Sequence, residues 1–277
     1  MTASTEERPI VTSQNCKRAF IIGIDGAMGS AVRDADTPNI DAFIATGLST
    51  YAARTVCPTA SFQAWGAMFH GVGPEKHQID GDHPCAEDVP WPSFAKLLCQ
   101  QRPGSRFASF SCWEPINSKI IEPSCNCHCV SLPDRELVPA AADYIRQNPP
   151  DLFFMQLDDI DGAGHRHGYG SPAYLEQIEA TDRHVGEMIA AIRAAGIFDE
   201  SLIIILSDHG GVDRSHGSDH PDCTTIFWAC GGPGIAQGVE FPHPLGIADT
   251  APVVARALGL ASPDGWDARL PEGIFQS

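Results

Sequence analysis

No stretch of about 18 uninterrupted apolar residues occurs anywhere in the 277-residue chain, so a helix crossing a bilayer is not expected. The opening segment MTASTEERPIVTSQNCKR has no apolar run of the length an export signal needs, and the expectation is a cytoplasmic protein with no membrane partner. Basic residues are scarce: 18 Lys and Arg stand against 35 Asp and Glu, a formal charge of −17. At long range that charge repels a nucleic-acid polymer or an anionic membrane, which argues against both as partners. Low-complexity runs, internal repeats and linkers are also missing. The expected organisation is therefore an N-terminal extension over 1–17 followed by one domain over 18–277, and nothing in the sequence specifies an oligomeric state.

Cysteine is not scarce. There are ten, and without an export signal they are expected as reduced thiols, many of them buried as small hydrophobes. The run Cys125, Cys127, His128 and Cys129 is tighter than a Cys-x-x-Cys knuckle and has no second pair at a regular distance. It is read as a thiol cluster, with an extra metal site as the alternative.

Short apolar runs ended by Gly, Asp or Ser predict strands over 19–24, 106–111, 152–157, 202–206 and 224–230. Helices are predicted between them. TPNIDAFIATG (37–47) opens on Thr37 and Pro38 and stops at Gly47, and a second helix runs from Ser61 to His70 before Gly71. WPSFAKLLCQQ, DRELVPAAADYIRQ and 172–195 continue the alternation. In the last, Tyr174, Ile178, Val185, Met188, Ile189 and Ile192 recur at helical spacing, a core stripe rather than a cofactor site. Strands alternating with helices imply right-handed crossovers and a mostly parallel α/β sheet covered on both faces.

Six potential metal ligands lie in three separated stretches: Asp25 in IIGIDGAM, Asp161 and His165 in DIDGAGHRHG, and Asp208, His209 and His216 in LIIILSDHGGVDRSHG. Each stretch comes at or soon after a predicted strand. Open α/β sheets present ligands beyond the carboxyl ends of their strands, so all six can meet at one edge. Three carboxylates and three imidazoles are too many for one tetrahedral ion but suit a pair of divalent cations. Equal numbers of imidazole and carboxylate favour Zn²⁺, with Mn²⁺ as the alternative. Taken singly, each stretch also has a plain structural explanation, a polar turn or a satisfied histidine.

Such a site needs a nucleophile. Ser61, in TVCPTASFQAWGAMFHG, sits where a loop turns into a helix, so backbone N–H groups and the positive end of the helix dipole face an arriving phosphate or sulfate. The alternative is that Ser61 or Thr59 only caps that helix.

These motifs together resemble the alkaline phosphatase superfamily, most closely its nucleotide pyrophosphatase/phosphodiesterase branch. The resemblance covers about residues 18 to 260 and runs in the family's order: Asp25 after the first strand, PTASFQAWGAMFHGVGPEKH, DGAGHRHG, SDHGG, then His216-Gly217 before TTIFWACGGPGI. It implies an alkaline-phosphatase-like three-layer α/β/α sandwich, with Asp25, Ser61, Asp208 and His209 on one ion and Asp161, His165 and His216 on the other. It also implies hydrolysis of a small phosphate ester through a phosphoseryl intermediate on Ser61. Gln63 is the candidate amide donor to the phosphoryl oxygen. Four alternatives attach to the same site: a phosphomonoesterase, a phosphonate hydrolase, a sulfatase, and a metal-loaded binder of phosphate esters without turnover. The sulfatase reading is weakened because Phe62, Gln63, Ala64 and Trp65 follow Ser61 where sulfatases carry Cys/Ser-x-Pro-x-Arg.

Overall fold

The computed structural model describes residues 16–82 and 86–276, so residues 1–15 of the expected extension lie outside the described residues. Among the described residues eight strands form one sheet: β1 Arg18–Ile24, β2 Leu48–Arg54, β3 Phe107–Ser111, β4 His128–Val130, β5 Leu152–Leu157, β6 Ser201–Leu206, β7 Thr225–Gly231 and β8 Val239–Glu240. Their order is β4-β3-β5-β1-β6-β7-β2-β8. Every pairing is parallel except those of β7 with β6 and with β2, so β7 alone runs against the rest. Between β6 and β7 the chain forms a single helical turn, Pro221–Thr224, rather than a crossover helix of the kind that joins parallel strands.

Successive residues of β1 feed opposite layers. Ala19 and Ile21 join the core under helices Ser61–His70, Phe94–Gln101 and Thr250–Leu258; Phe20, Ile22 and Ile24 join the core under Pro38–Ile44, Asp134–Gln147 and Pro172–Ala194. This is the three-layer α/β/α arrangement, with β1, β5 and β6 buried along their lengths because helices cover both faces. The helix expected from Trp91 starts at Phe94, because the Ser93 hydroxyl accepts the Lys96 N–H at 3.0 Å and caps it there. Among the described residues no helix is long and apolar enough to cross a membrane.

His77 braces the helix Ser61–His70 from below. Its Nε2 donates to the Gln63 carbonyl at 3.1 Å and its Nδ1 accepts the Ile79 N–H at 2.9 Å, so the buried ring is held neutral. Burial first, and then neighbouring His70, lower its pKa from 6.5 to about 4. Between those two values the unfolded chain binds a proton that the folded chain refuses. The contribution is fully present above about pH 6.5 and is lost as pH falls toward 4, with a ceiling of about 3 kcal/mol. Urea unfolding at pH 7 and pH 4.5 should show this loss in the wild type and a smaller one in His77→Gln. Equal pH dependence in the two proteins would refute the assignment.

Candidate metal centre

β1, β5 and β6 end at the same edge of the sheet, and the chain leaving each carries the polar groups. Asp25 follows β1 directly. Gly26, at φ 71°, turns the chain so tightly past the helix Asp159–His167 that a Cβ there would lie 2.7 Å from the Cβ of Asp161. Asp161 and His165 stand on the helix Asp159–His167 beyond β5, and Asp208 and His209 close β6. Four residues apart on a helix, Asp161 and His165 share a face, with His165 Nε2 3.2 Å from Asp161 Oδ2.

Ser61 is the first residue of its helix, and the cap position is Ala60, which makes no side-chain cap. Thr59 is occupied elsewhere: its hydroxyl donates to the Ser218 carbonyl at 2.9 Å and accepts the Gly217 N–H at 2.8 Å. Neither hydroxyl caps the helix. The Ser61 Oγ instead lies 3.3 Å from His209 Nε2.

The three histidines share one arrangement. Nδ1 of His209 donates to the Gly210 carbonyl at 2.9 Å, that of His216 to Thr59 at 2.8 Å, and that of His165 to Arg214 at 2.9 Å. A carbonyl only accepts, so each Nδ1 carries a proton, and in the neutral tautomer that this selects, the lone pair is on Nε2. The His209 and His216 rings stack with centroids 3.9 Å apart. Burial, and after it His209, lowers the pKa of His216, which favours that neutral form.

Two buried carboxylates are similarly one-sided. Asp208 Oδ1 accepts N–H bonds from Gly26 (3.0 Å) and His209 (2.8 Å), and Asp25 Oδ2 accepts from Trp65 Nε1 (3.0 Å) and Gln156 Nε2 (2.9 Å). The other oxygen of each, Asp25 Oδ1 and Asp208 Oδ2, is buried with no hydrogen-bond partner. They lie 3.6 and 3.4 Å from the His209 Nε2 lone pair. Buried lone pairs facing one another without a proton between them are costly unless a cation joins them. Burial, together with Asp208, raises the Asp25 pKa well above the carboxylate range, and burial pushes Asp208 up to about 8. The donor set thus fits a divalent ion.

Among the described residues two groups of three have ligand atoms within 4.8 Å of one another: Asp25, Asp208 and His209, and Asp161, His209 and His216. All six residues singled out by sequence converge on one edge, with His209 touching both groups. His165 stands beside Asp161, outside the second group, and its side chain is 43% exposed. Gln63 occupies the third position of the Ser61 helix, half-buried. The thiols at 125–129 are not among the groups able to hold a metal. They divide into two contacts, Cys125 with Cys99 and Cys127 with Cys129. Sequence reasoning missed Gln156, and missed Trp65 and Tyr169 as hydrogen-bond donors; the Tyr169 hydroxyl donates to Asp161 Oδ1. A glutamine inside the apolar run LFFMQL was the available signal, since a buried amide must find partners.

The model of the type I phosphodiesterase / nucleotide pyrophosphatase family matches residues 19–89 and 98–225, which takes in β1, the Ser61 helix and the whole candidate centre. The chain belongs to that family. Like the rest of this phosphodiesterase/pyrophosphatase branch, it falls in the alkaline phosphatase superfamily. Bis(5′-adenosyl)-triphosphatase ENPP4 of Bos taurus is 20% identical over 220 residues, 72% of this chain and 48% of that protein. GPI ethanolamine phosphate transferase 1 of Chaetomium globosum is 30% identical over 92 residues, 33% of this chain and 10% of that protein. The chain therefore spans about half the length of the first relative and a tenth of the second. Among solved structures, an inactive variant of murine ectonucleotide pyrophosphatase/phosphodiesterase 5 in complex with AMP superposes with a TM-score of 0.73 at 13% identity, covering 89% of this chain and 96% of that one. A 2-O GAG sulfatase superposes at 0.76 and 15% identity, covering 92% and 73%. At those identities the likeness is one of fold.

Proposed function

We propose that this phosphodiesterase-family protein hydrolyses small phosphate esters, diesters or pyrophosphates foremost, through a phosphoseryl intermediate on Ser61. The observation that carries the reading is the convergence of two bare carboxylate oxygens and the Ser61 Oγ, at the first residue of a helix, on the lone pair of His209 Nε2. Two divalent cations, best zinc and alternatively manganese, held by Asp25, Asp208 and His209 with Ser61 and by Asp161, His165 and His216, would supply electrophilic charge at the phosphoryl group and ease ionisation of the hydroxyl.

The chain's own groups do the rest. The first N–H groups of the Ser61 helix have no partner within the helix and face a phosphoryl oxygen, and Gln63 is the candidate side-chain donor beside them. Ser61 Oγ forms a bond to phosphorus as the bond to the leaving oxygen breaks on the opposite side, and the hydroxyl proton departs, directly or through water, with that leaving oxygen. Water then attacks phosphorus from the vacated side, and the Ser61 oxygen leaves with a proton.

Two displacements retain configuration at phosphorus. A chiral thiophosphate diester hydrolysed in isotopically labelled water should give a product of retained configuration; net inversion would eliminate the serine intermediate. Rates on a diester, a monoester, a phosphonate and an aryl sulfate, measured with added zinc and with added manganese, rank the leaving groups. A diester well ahead is the expected result.

A further inference from the structure

Asp25 is gripped in a way that its role as a ligand alone does not require, and resting on the reading above, we propose that Trp65 and Gln156 are positioning residues that aim Asp25 at its cation and lock the Ser61 helix to it. Trp65 Nε1 and Gln156 Nε2 both donate to Asp25 Oδ2, at 3.0 and 2.9 Å, leaving Oδ1 as the one free donor atom of the carboxylate. An indole N–H can only donate, so Trp65 cannot compete for the cation.

The Gln156 amide cannot turn over either. Its Oε1 accepts the Trp113 N–H at 2.8 Å, while its Nε2 donates to Asp25 and, at 2.7 Å, to Asp158 Oδ1; the Ser111 hydroxyl, 3.1 Å from Oε1, has its shorter acceptor in the Trp113 carbonyl at 2.7 Å. A flip would set the amide oxygen against two carboxylates and its N–H groups against a backbone N–H. Both N–H groups and one lone pair of the oxygen are used, so the orientation is fixed by the network.

Trp65 adds a mechanical link. It stands one turn after Ser61 on the same helix, so its bond to Asp25 sets the distance between nucleophile and ligand. β1 makes room for it: a Cβ at Gly23 would lie 2.4 Å from Trp65 Cη2. The indole crosses the strand at its one glycine and reaches the carboxylate two residues on. A tryptophan needed only to fill the core would require the gap at Gly23 but not an N–H aimed at Asp25.

The test compares wild type, Trp65→Phe and Gln156→Met, stripped of metal with a chelator and titrated calorimetrically with zinc and with manganese. Circular dichroism and melting of the metal-free proteins are measured alongside. Trp65→Phe keeps an aromatic ring and removes only the donor. Both variants should remain folded and bind the tighter ion about 10 to 100 times more weakly, the range found when a metal ligand loses its outer support. A folded variant with the wild-type Kd would overturn the proposal. Should substitution prevent folding, the wild type still answers through the nitrogen-15 signal of the Trp65 indole. Its proton should exchange slowly and shift on adding zinc, and a freely exchanging, zinc-indifferent indole would overturn the proposal as well. A wild type that binds no divalent ion would instead sink the metal-dependent reading itself.

Discussion

Ser61→Ala should lower diester turnover by about 10⁴-fold or more while leaving metal content nearly unchanged. The asymmetry follows from what the hydroxyl touches. Losing the attacking atom removes the covalent route entirely, and the residual rate is what positioning and charge alone supply to water. Asp25, Asp208 and His209 still face one another, so the cation keeps three protein ligands. Steady-state kinetics with elemental analysis of the same preparation checks both halves. Activity surviving the change removes Ser61 from the reaction; metal lost along with activity makes it a ligand before a nucleophile.

Asp208→Asn should have effects of opposite sign on the loaded and the metal-free protein. With metal, loss of one anionic ligand should weaken binding and lower turnover by about 10³-fold, since a bound cation contributes several kcal/mol at a phosphoryl group. Without metal, the substitution should raise the melting temperature. The asparagine oxygen can still accept from Gly26 and His209, while its N–H₂ replaces the bare oxygen that faces Asp25. Above about pH 8, where the Asp208 carboxyl is ionised, a lone-pair clash becomes a hydrogen bond and a buried charge disappears. Differential scanning calorimetry with chelator and with zinc separates the two effects. A metal-free variant less stable than wild type would mean that the carboxylate serves the fold rather than a cation.

Much of this was legible because burial simplifies sequence. β1, β5, β6 and β7 lie under helices on both sides and read as mainly apolar runs, interrupted in β5 by Gln156. The helix Ser61–His70 ends where Gly71 takes a left-handed φ of 62°. Other features depended on partners that sequence does not display. The helix Asp159–His167 was hidden by Gly162 and Gly164, which disfavour helix locally; Gly164 is needed because a Cβ there would lie 2.6 Å from the Tyr169 ring. β2, LSTYAAR, lacks a clean apolar alternation and is defined by pairing between β7 and β8. The reversed direction of β7 goes with a connection that carries one helical turn in place of a crossover helix. At the site, ligand identities were readable from residue type and strand ends, but not that His209 would border both groups or that His165 would stand outside one of them. Nor could sequence show that a glutamine and a tryptophan from different layers would close on one carboxylate oxygen.

The most direct measurement is anomalous diffraction from crystals grown with zinc. Peaks should appear within ligand distance, about 2.0–2.2 Å, of Asp25 Oδ1, Asp208 Oδ2 and His209 Nε2 beside the Ser61 Oγ, and of Asp161 with His216. Zinc found only at the thiols of 125–129 or on the surface, with the Asp25 and Asp208 oxygens still bare, would contradict the account.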